Sequence, residues 1–193
     1  MPSEVILASS SAYRRALLER LGIPFRCVAP ADQEEELKLR GLAPRVLAEE
    51  LAQAKAESVA RQFHGAVVIG SDQLATIDGQ ILGKPGTPEK AVDQLALLAG
   101  RTHELITAVY LVGPGENVAF QNTTRLTMRP LSREQIARYV ARDRPLDCAG
   151  SYKIEAAGIV LFERIETDDF TAITGLPLIQ LTSALGQMGV CLP

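Results

Sequence analysis

The sequence predicts an α/β protein with a mixed sheet, on three observations. Strand-like and helix-like runs alternate through its first half, Asp78-Gly79 is a hairpin signal, and a second strand pair flanks Gly113-Pro114-Gly115. Alternation calls for crossover connections and parallel pairing, whereas two-residue turns call for antiparallel neighbours, so one sheet must hold both. The chain has 193 residues, 47% of them hydrophobic, enough for one sizeable core and a single domain spanning 1–193.

Val5 to Ala8 is a short apolar run of β-favouring character that ends in Ser9-Ser10-Ser11. Ala16, Leu17, Leu18 and Leu21 then recur at helical spacing up to Gly22. FRCVAP reads as a strand, Asp32 to Glu36 as an acidic stretch, and about Pro44 to Phe63 as a long helix whose apolar and alanine positions, among them Val46, Leu47, Leu51, Ala54 and Val59, recur at helical spacing. AVVIGSD is the strongest strand and runs straight into a glycine and an acid. Asp78-Gly79, between QLATI and QILGKP, predicts a type I′ hairpin. Thr87-Pro88 opens a helix with an N-cap and a proline at its first position, and Gly100 closes it. His103 to Met128 reads as two strands, Ser132 and Gln135 form a capping box for a helix ending before Pro145, GIVLFERI reads as a strand, and LPLIQLTSALGQMG as a last helix.

Charge narrows the functional classes. Twenty basic against 23 acidic residues leave a net charge of −3, so no broad basic surface exists to hold polymeric nucleic acid, and any phosphate site must be local. Cys27, Cys148 and Cys191 are odd in number and form no CxxC pair, which predicts neither a disulfide framework nor a zinc knuckle and fits a cytoplasmic setting. No stretch approaches the roughly 20 apolar residues of a membrane span. Neither GxxxxGK[ST] nor GxGxxG occurs, so the usual nucleotide fingerprints are absent. His64 and His103 lack metal-ligand spacing and read as ordinary residues.

Four places have chemical potential. Ser9, Ser11 and Arg14 lie between a strand and a helix, where free N–H groups and the helix dipole favour an anion; the competing reading has Ser11 as the helix cap alone and Arg14 or Arg15 solvated. Asp72 follows the strongest strand, where ligands bind in open α/β sheets, and an ordinary turn acid is the competing reading. Glu34 offers an oxygen ligand for a hard cation, or belongs to a solvated acidic loop. Lys84, in GKP, comes one hairpin after Asp72, and Lys55 interrupts an alanine-rich helix face; either lysine alone reads as a surface residue.

The ordered set LASSSxxRRALLERLGI, AQAKA, GSDQ, GKP, AGSYKIEAAGIVLFERIET and TGLPL resembles the Maf family of nucleotide pyrophosphatases from about Leu7 to Met188. The resemblance implies a Maf/ITPase-like three-layer sandwich with a mixed, elongated sheet and two lobes around an active-site cleft. It also implies a small nucleotide substrate, a divalent cation (Mg²⁺ or Mn²⁺) and a homodimer, although no apolar stripe marks an interface. By position it assigns Asp72, Glu34, Lys84, Lys55 and Arg14 to catalysis, with Glu34 and Asp72 as metal ligands. Ser9 and Ser11 become phosphate contacts, and Tyr13, Gln73 and Glu155 become specificity residues. GSDQ with Tyr13 and Glu155 resembles the branch acting on 7-methyl-GTP rather than on dTTP and UTP. A dTTP/UTP or broad-specificity house-cleaning pyrophosphatase and a nucleotide-sensing division regulator are the alternatives. Three positions depart from the pattern: Gln33-Glu34 stands where Asp-Glu is usual, Ala108 where glycine is common, and Tyr13 where tryptophan is frequent.

Overall fold

The computed structural model describes residues 4–31 and 34–192, with the side chains of Glu34 and Glu35 also outside the description. The chain forms two compact units, the first comprising Met1–Asp72, Thr107–Asn122 and Asp169–Pro193, the second Gln73–Ile106 and Thr123–Asp168.

In the first unit, strand β1 (Val5–Ala8) pairs in parallel with both β2 (Phe25–Val28) and β3 (Val67–Ile77). Helix α1 (Ala12–Glu19) makes the crossover from β1 to β2, while α2 (Glu34–Leu39) and α3 (Pro44–Ala60) lie between β2 and β3. Side-chain alternation divides β1 and β3 between two cores. Val5, Leu7, Val67 and Ile69 pack with Leu17 and Leu18 of α1 and with Leu181 and Leu185 of the last helix, α6 (Leu178–Gln187). Ile6, Ala8 and Val68 face the other way and pack with Val59 and Ala66.

Three expectations change here. The acidic stretch runs into the short helix α2, which starts at Glu34 and continues to Leu39. Helix α3 ends at Ala60, three residues short of Phe63. Asp72 lies inside β3, which continues to Ile77, because the segment read as a separate hairpin strand extends the same strand without a break.

The second unit opens with that extension. Strand β4 (Gln80–Leu82) returns antiparallel in the register Ala75↔Leu82 and Ile77↔Gln80, through a turn in which Asp78 and Gly79 have φ of 51° and 79°. Both central residues therefore adopt the positive φ that a type I′ turn requires. Helix α4 (Pro88–Leu98) starts at Thr87, whose hydroxyl accepts from Lys90 N at 3.3 Å. It packs on α5 (Arg133–Asp143), which carries the complete Ser132/Gln135 capping box. Strands β5 (Thr102–Val112) and β6 (Asn117–Met128) each contribute residues to both units, and β7 (Phe162–Glu166) pairs antiparallel with β6. Hydrogen bonding follows the order β2-β1-β3-β5-β6-β7, with β4 on β3, a mixed sheet as predicted. GIVLFERI is only half strand, because Ala157–Leu161 form a 3₁₀ turn with Ile159 and Val160 exposed.

His103, read from the sequence only as an ordinary residue without metal-ligand spacing, is buried. It packs against Tyr152 and Phe162, its Nε2 lies 3.0 Å from the Tyr152 hydroxyl, and its buried Nδ1 has no hydrogen-bond partner among the described residues. Burial lowers its pKa from 6.5 to about 4. The unfolded chain therefore takes up this proton first as pH falls, so the imidazole's contribution is intact above about pH 6.5 and is lost progressively between 6.5 and 4. The loss amounts to roughly 3 kcal/mol at 1.36 kcal/mol per unit. Urea midpoints measured across that window should fall more steeply for the wild type than for His103→Gln.

Candidate active site

The loop between β1 and α1 is held by its own serines. Ser9 is buried and its Oγ accepts from Ser11 N at 3.1 Å; Ser11 is the N-cap of α1 and its Oγ accepts from Arg14 N at 3.4 Å. The cap reading of Ser11 thus holds, and the same bonds place two hydroxyls and the base of Arg14 within one helix turn. The register Ala8↔Gly70 sets Ser9 and Ser71 after matched residues of adjacent parallel strands, at the carboxyl end of β1, where α/β sheets bind ligands.

Asp72 is buried in β3 and forms an ion pair and hydrogen bond with Lys55 Nζ of α3. The lysine side chain retains 20% of its exposure and the acid 9%, so the pair is largely withdrawn from water. Helix α3 reaches this position because Gly70 has no side chain: a Cβ there would lie 2.2 Å from Ala52 O and 2.8 Å from Ala56 Cβ. The alanine-rich face interrupted by Lys55 is thus the face that packs on the strand.

Ser71 and Gly175 complete this side, and neither is conspicuous as a functional residue in the sequence. Ser71 Oγ donates to the Gly175 carbonyl at 2.9 Å, and Arg14 Nε donates to the same oxygen at 3.1 Å. The TGLPL motif is the one sequence signal that marks the segment. Tyr13 is half-buried on α1 beside Arg14.

Gln73, Lys84 and Glu155 belong to the second unit. Gln73 follows Asp72 in β3 and is half-buried, whereas Lys84 is exposed in the loop after β4. Glu155 is exposed at the tip of a tight turn. Lys153 O accepts from Ala156 N at 3.1 Å and Gly158 N at 2.9 Å, and the Tyr139 hydroxyl accepts from Lys153 N at 2.9 Å. Asp143 Oδ2 accepts from Ala157 N at 2.9 Å, so the turn carrying Glu155 is anchored on both sides. Burial, reinforced by the charges of Asp147 and Glu155, pushes the Cys148 thiol up to about 12, which removes it as a nucleophile at neutral pH.

Among the described residues no three His, Cys, Asp or Glu side chains group as a metal cage. Asp72 nonetheless offers a hard oxygen donor suited to Mg²⁺ or Mn²⁺, ions that take one or two carboxylates from a protein and complete their shell with phosphate oxygens and water. The side chain of Glu34, the other expected ligand, lies outside the described residues.

A family model described as Maf-like protein matches residues 4–188. The chain belongs to the Maf family. It is 50% identical over 182 residues to a protein of Bdellovibrio bacteriovorus named 7-methyl-GTP pyrophosphatase, covering 94% of this chain and 95% of that one. A protein of the same name from Xanthomonas campestris is 47% identical over 194 residues, with 100% of both chains covered. Among solved structures, a HAM1 protein from Coxiella burnetii superposes with a TM-score of 0.54 at 16% identity, covering 96% of this chain and 99% of that one, a likeness of fold. The Maf resemblance drawn from the ordered motifs is thereby borne out for family and fold.

Proposed function

We propose that this Maf-family chain hydrolyses 7-methyl-GTP to 7-methyl-GMP and pyrophosphate in the cytoplasm. The observation that carries this reading is the likeness, at 47–50% identity and nearly full length, to proteins named 7-methyl-GTP pyrophosphatase. The Asp72–Lys55 pair, beside a serine-rich turn and an anchored arginine, supplies groups suited to the reaction.

Water attacks the α-phosphorus and the bond from that phosphorus to the oxygen bridging to the β-phosphorus breaks, so pyrophosphate leaves. Asp72 orients the water and takes its proton, which passes to solvent. Lys55 holds the carboxylate in position in the resting site, and with Arg14 and Lys84 it offsets charge on the triphosphate and the leaving group. Ser9 and Ser11 contact phosphate oxygens. A divalent cation, Mg²⁺ or Mn²⁺, on Asp72 and Glu34 would neutralise phosphate oxygens and lower the pKa of a bound water.

Base selection falls to Glu155, Tyr13 and Gln73. Guanine presents N1–H and the 2-amino group as adjacent donors, and a carboxylate accepts from both; a pyrimidine has no such pair. Methylation at N7 makes the ring cationic, which favours stacking on Tyr13. Gln73 contacts the base edge.

Purified protein with Mg²⁺ or Mn²⁺ should release pyrophosphate from 7-methyl-GTP much faster than from GTP, dTTP, UTP or CTP. Glu155→Gln should cut the kcat/KM preference for 7-methyl-GTP over dTTP by about tenfold or more, because one acceptor of the pair becomes a donor. A pyrimidine preference in the wild type would keep the reaction and discard the base assignment. No release from any nucleotide would favour a nucleotide-sensing protein instead.

A further inference from the structure

We propose that Asp169 and Ser71 are positioning residues that act on Arg14 through the Gly175 carbonyl; the inference rests on the reading of Arg14 as a phosphate ligand. The Gly175 oxygen accepts from Arg14 Nε at 3.1 Å and from Ser71 Oγ at 2.9 Å, which uses both of its lone pairs. One donor belongs to the arginine and the other to the residue preceding Asp72. A shift of this oxygen would therefore disturb both the expected phosphate ligand and the strand that carries the base.

The segment that carries this carbonyl is tied down by a buried carboxylate. Asp169 caps the 3₁₀ turn Phe170–Thr174, accepting at Oδ1 from Thr171 N at 2.9 Å and from Thr171 Oγ1 at 2.6 Å. Its Oδ2 accepts from Ile179 N at 2.7 Å, and Thr171 Oγ1 accepts in turn from Leu178 N at 2.9 Å. Residues on both sides of Gly175 are thus tied to one acid that is only 5% exposed. Gly175 N closes the turn on Ala172 O at 3.0 Å, and Thr107 Oγ1 of β5 donates to the same oxygen at 2.9 Å, which fastens the turn to that strand. Gly175 itself has φ of +112°, and a Cβ there would lie 3.1 Å from Arg14 Nε and 3.3 Å from its Cγ. The arginine stem therefore lies directly across the glycine. Two-point recognition of a phosphate requires a fixed guanidinium plane, and an error of about 1 Å in such a group costs up to 100-fold in rate.

The test is a double-mutant cycle on 7-methyl-GTP turnover with wild type, Asp169→Asn, Arg14→Ala and the double variant. If Asp169 acts through Arg14, its substitution should lower kcat about tenfold in the wild-type background and less than about twofold once Arg14 is absent. Melting temperatures should drop alike in both backgrounds, which separates positioning from a general loss of structure. An equal factor in kcat in both backgrounds overturns the proposal. Independently of turnover, the Arg14 Nε–H resonance, assigned by its loss in Arg14→Ala, should shift in Asp169→Asn; an unmoved signal also overturns it. Should Asp169→Asn fail to fold, Ser71→Ala carries the same cycle, since it removes the second donor on the same oxygen. A wild type that releases no pyrophosphate from any nucleotide refutes the proposed reaction, and the resonance then decides the positioning claim alone.

Discussion

Replacing Asp72 with alanine should lower pyrophosphate release from 7-methyl-GTP by at least about 100-fold, the range expected for loss of a positioned base. The expectation rests on where the acid sits. Asp72 lies within β3 rather than on a loose turn, it is buried, and Lys55 holds its carboxylate in one orientation. Alanine would leave the lysine without that partner, with only a fifth of its side-chain exposure to draw on for hydration. Some loss of stability is expected as well, so the rate should be measured on protein whose circular dichroism confirms a folded state. Asp72→Asn keeps the shape and one acceptor oxygen but cannot take a proton. It should be nearly as inactive while melting closer to the wild type. If it kept the wild-type rate, Asp72 would act only as a structural partner of Lys55.

Gly70→Ala should destabilise the protein by upward of about 3 kcal/mol, beyond ordinary overpacking. The added methyl would lie 2.2 Å from Ala52 O, 2.6 Å from Ala56 N and 2.8 Å from Ala56 Cβ. Two of these three atoms are helix backbone, which no rotamer change can move aside. Helix α3 would have to lift as a body, yet Leu47, Ala48, Leu51, Ala52, Ala56 and Val59 are all buried along it. Because Lys55 is carried on the same helix, any folded Gly70→Ala protein should also turn over substrate more slowly. The urea midpoint is the measurement, with Gly115→Ala as the control, since none of the described residues lies within 4 Å of a Cβ there. A midpoint matching the control would show that α3 has freedom to retreat.

Much of the fold is legible in local chemistry. The Ser132/Gln135 capping box, the Thr87-Pro88 helix start and the Asp78-Gly79 turn are interactions among residues a few positions apart, and all three form as their sequence predicts. Errors fall where distant packing overrides local pattern. Ala157–Leu161 carry strand-like residues but coil into a 3₁₀ turn, with Ala157 N bonded to Asp143 and Gly158 N to Lys153 O. Local pattern likewise says nothing of a burial that leaves His103 uncharged against Tyr152 and Phe162.

The candidate site divides in the same way. By itself the sequence determined the family, the residue types and their order, because Ser9, Ser11, Arg14, Lys55 and Asp72 stand in motifs whose succession is specific. Only the tertiary structure decided which of them meet. Lys55 and Asp72 are 17 residues apart, and Arg14 and Gly175 are 161 apart. Such pairings depend on parallel strand register and on the approach of α3 to Gly70. The physical reason is that caps and turns are satisfied within one turn of chain, whereas a buried ion pair or a shared carbonyl needs partners that only the packed sheet and helices bring together.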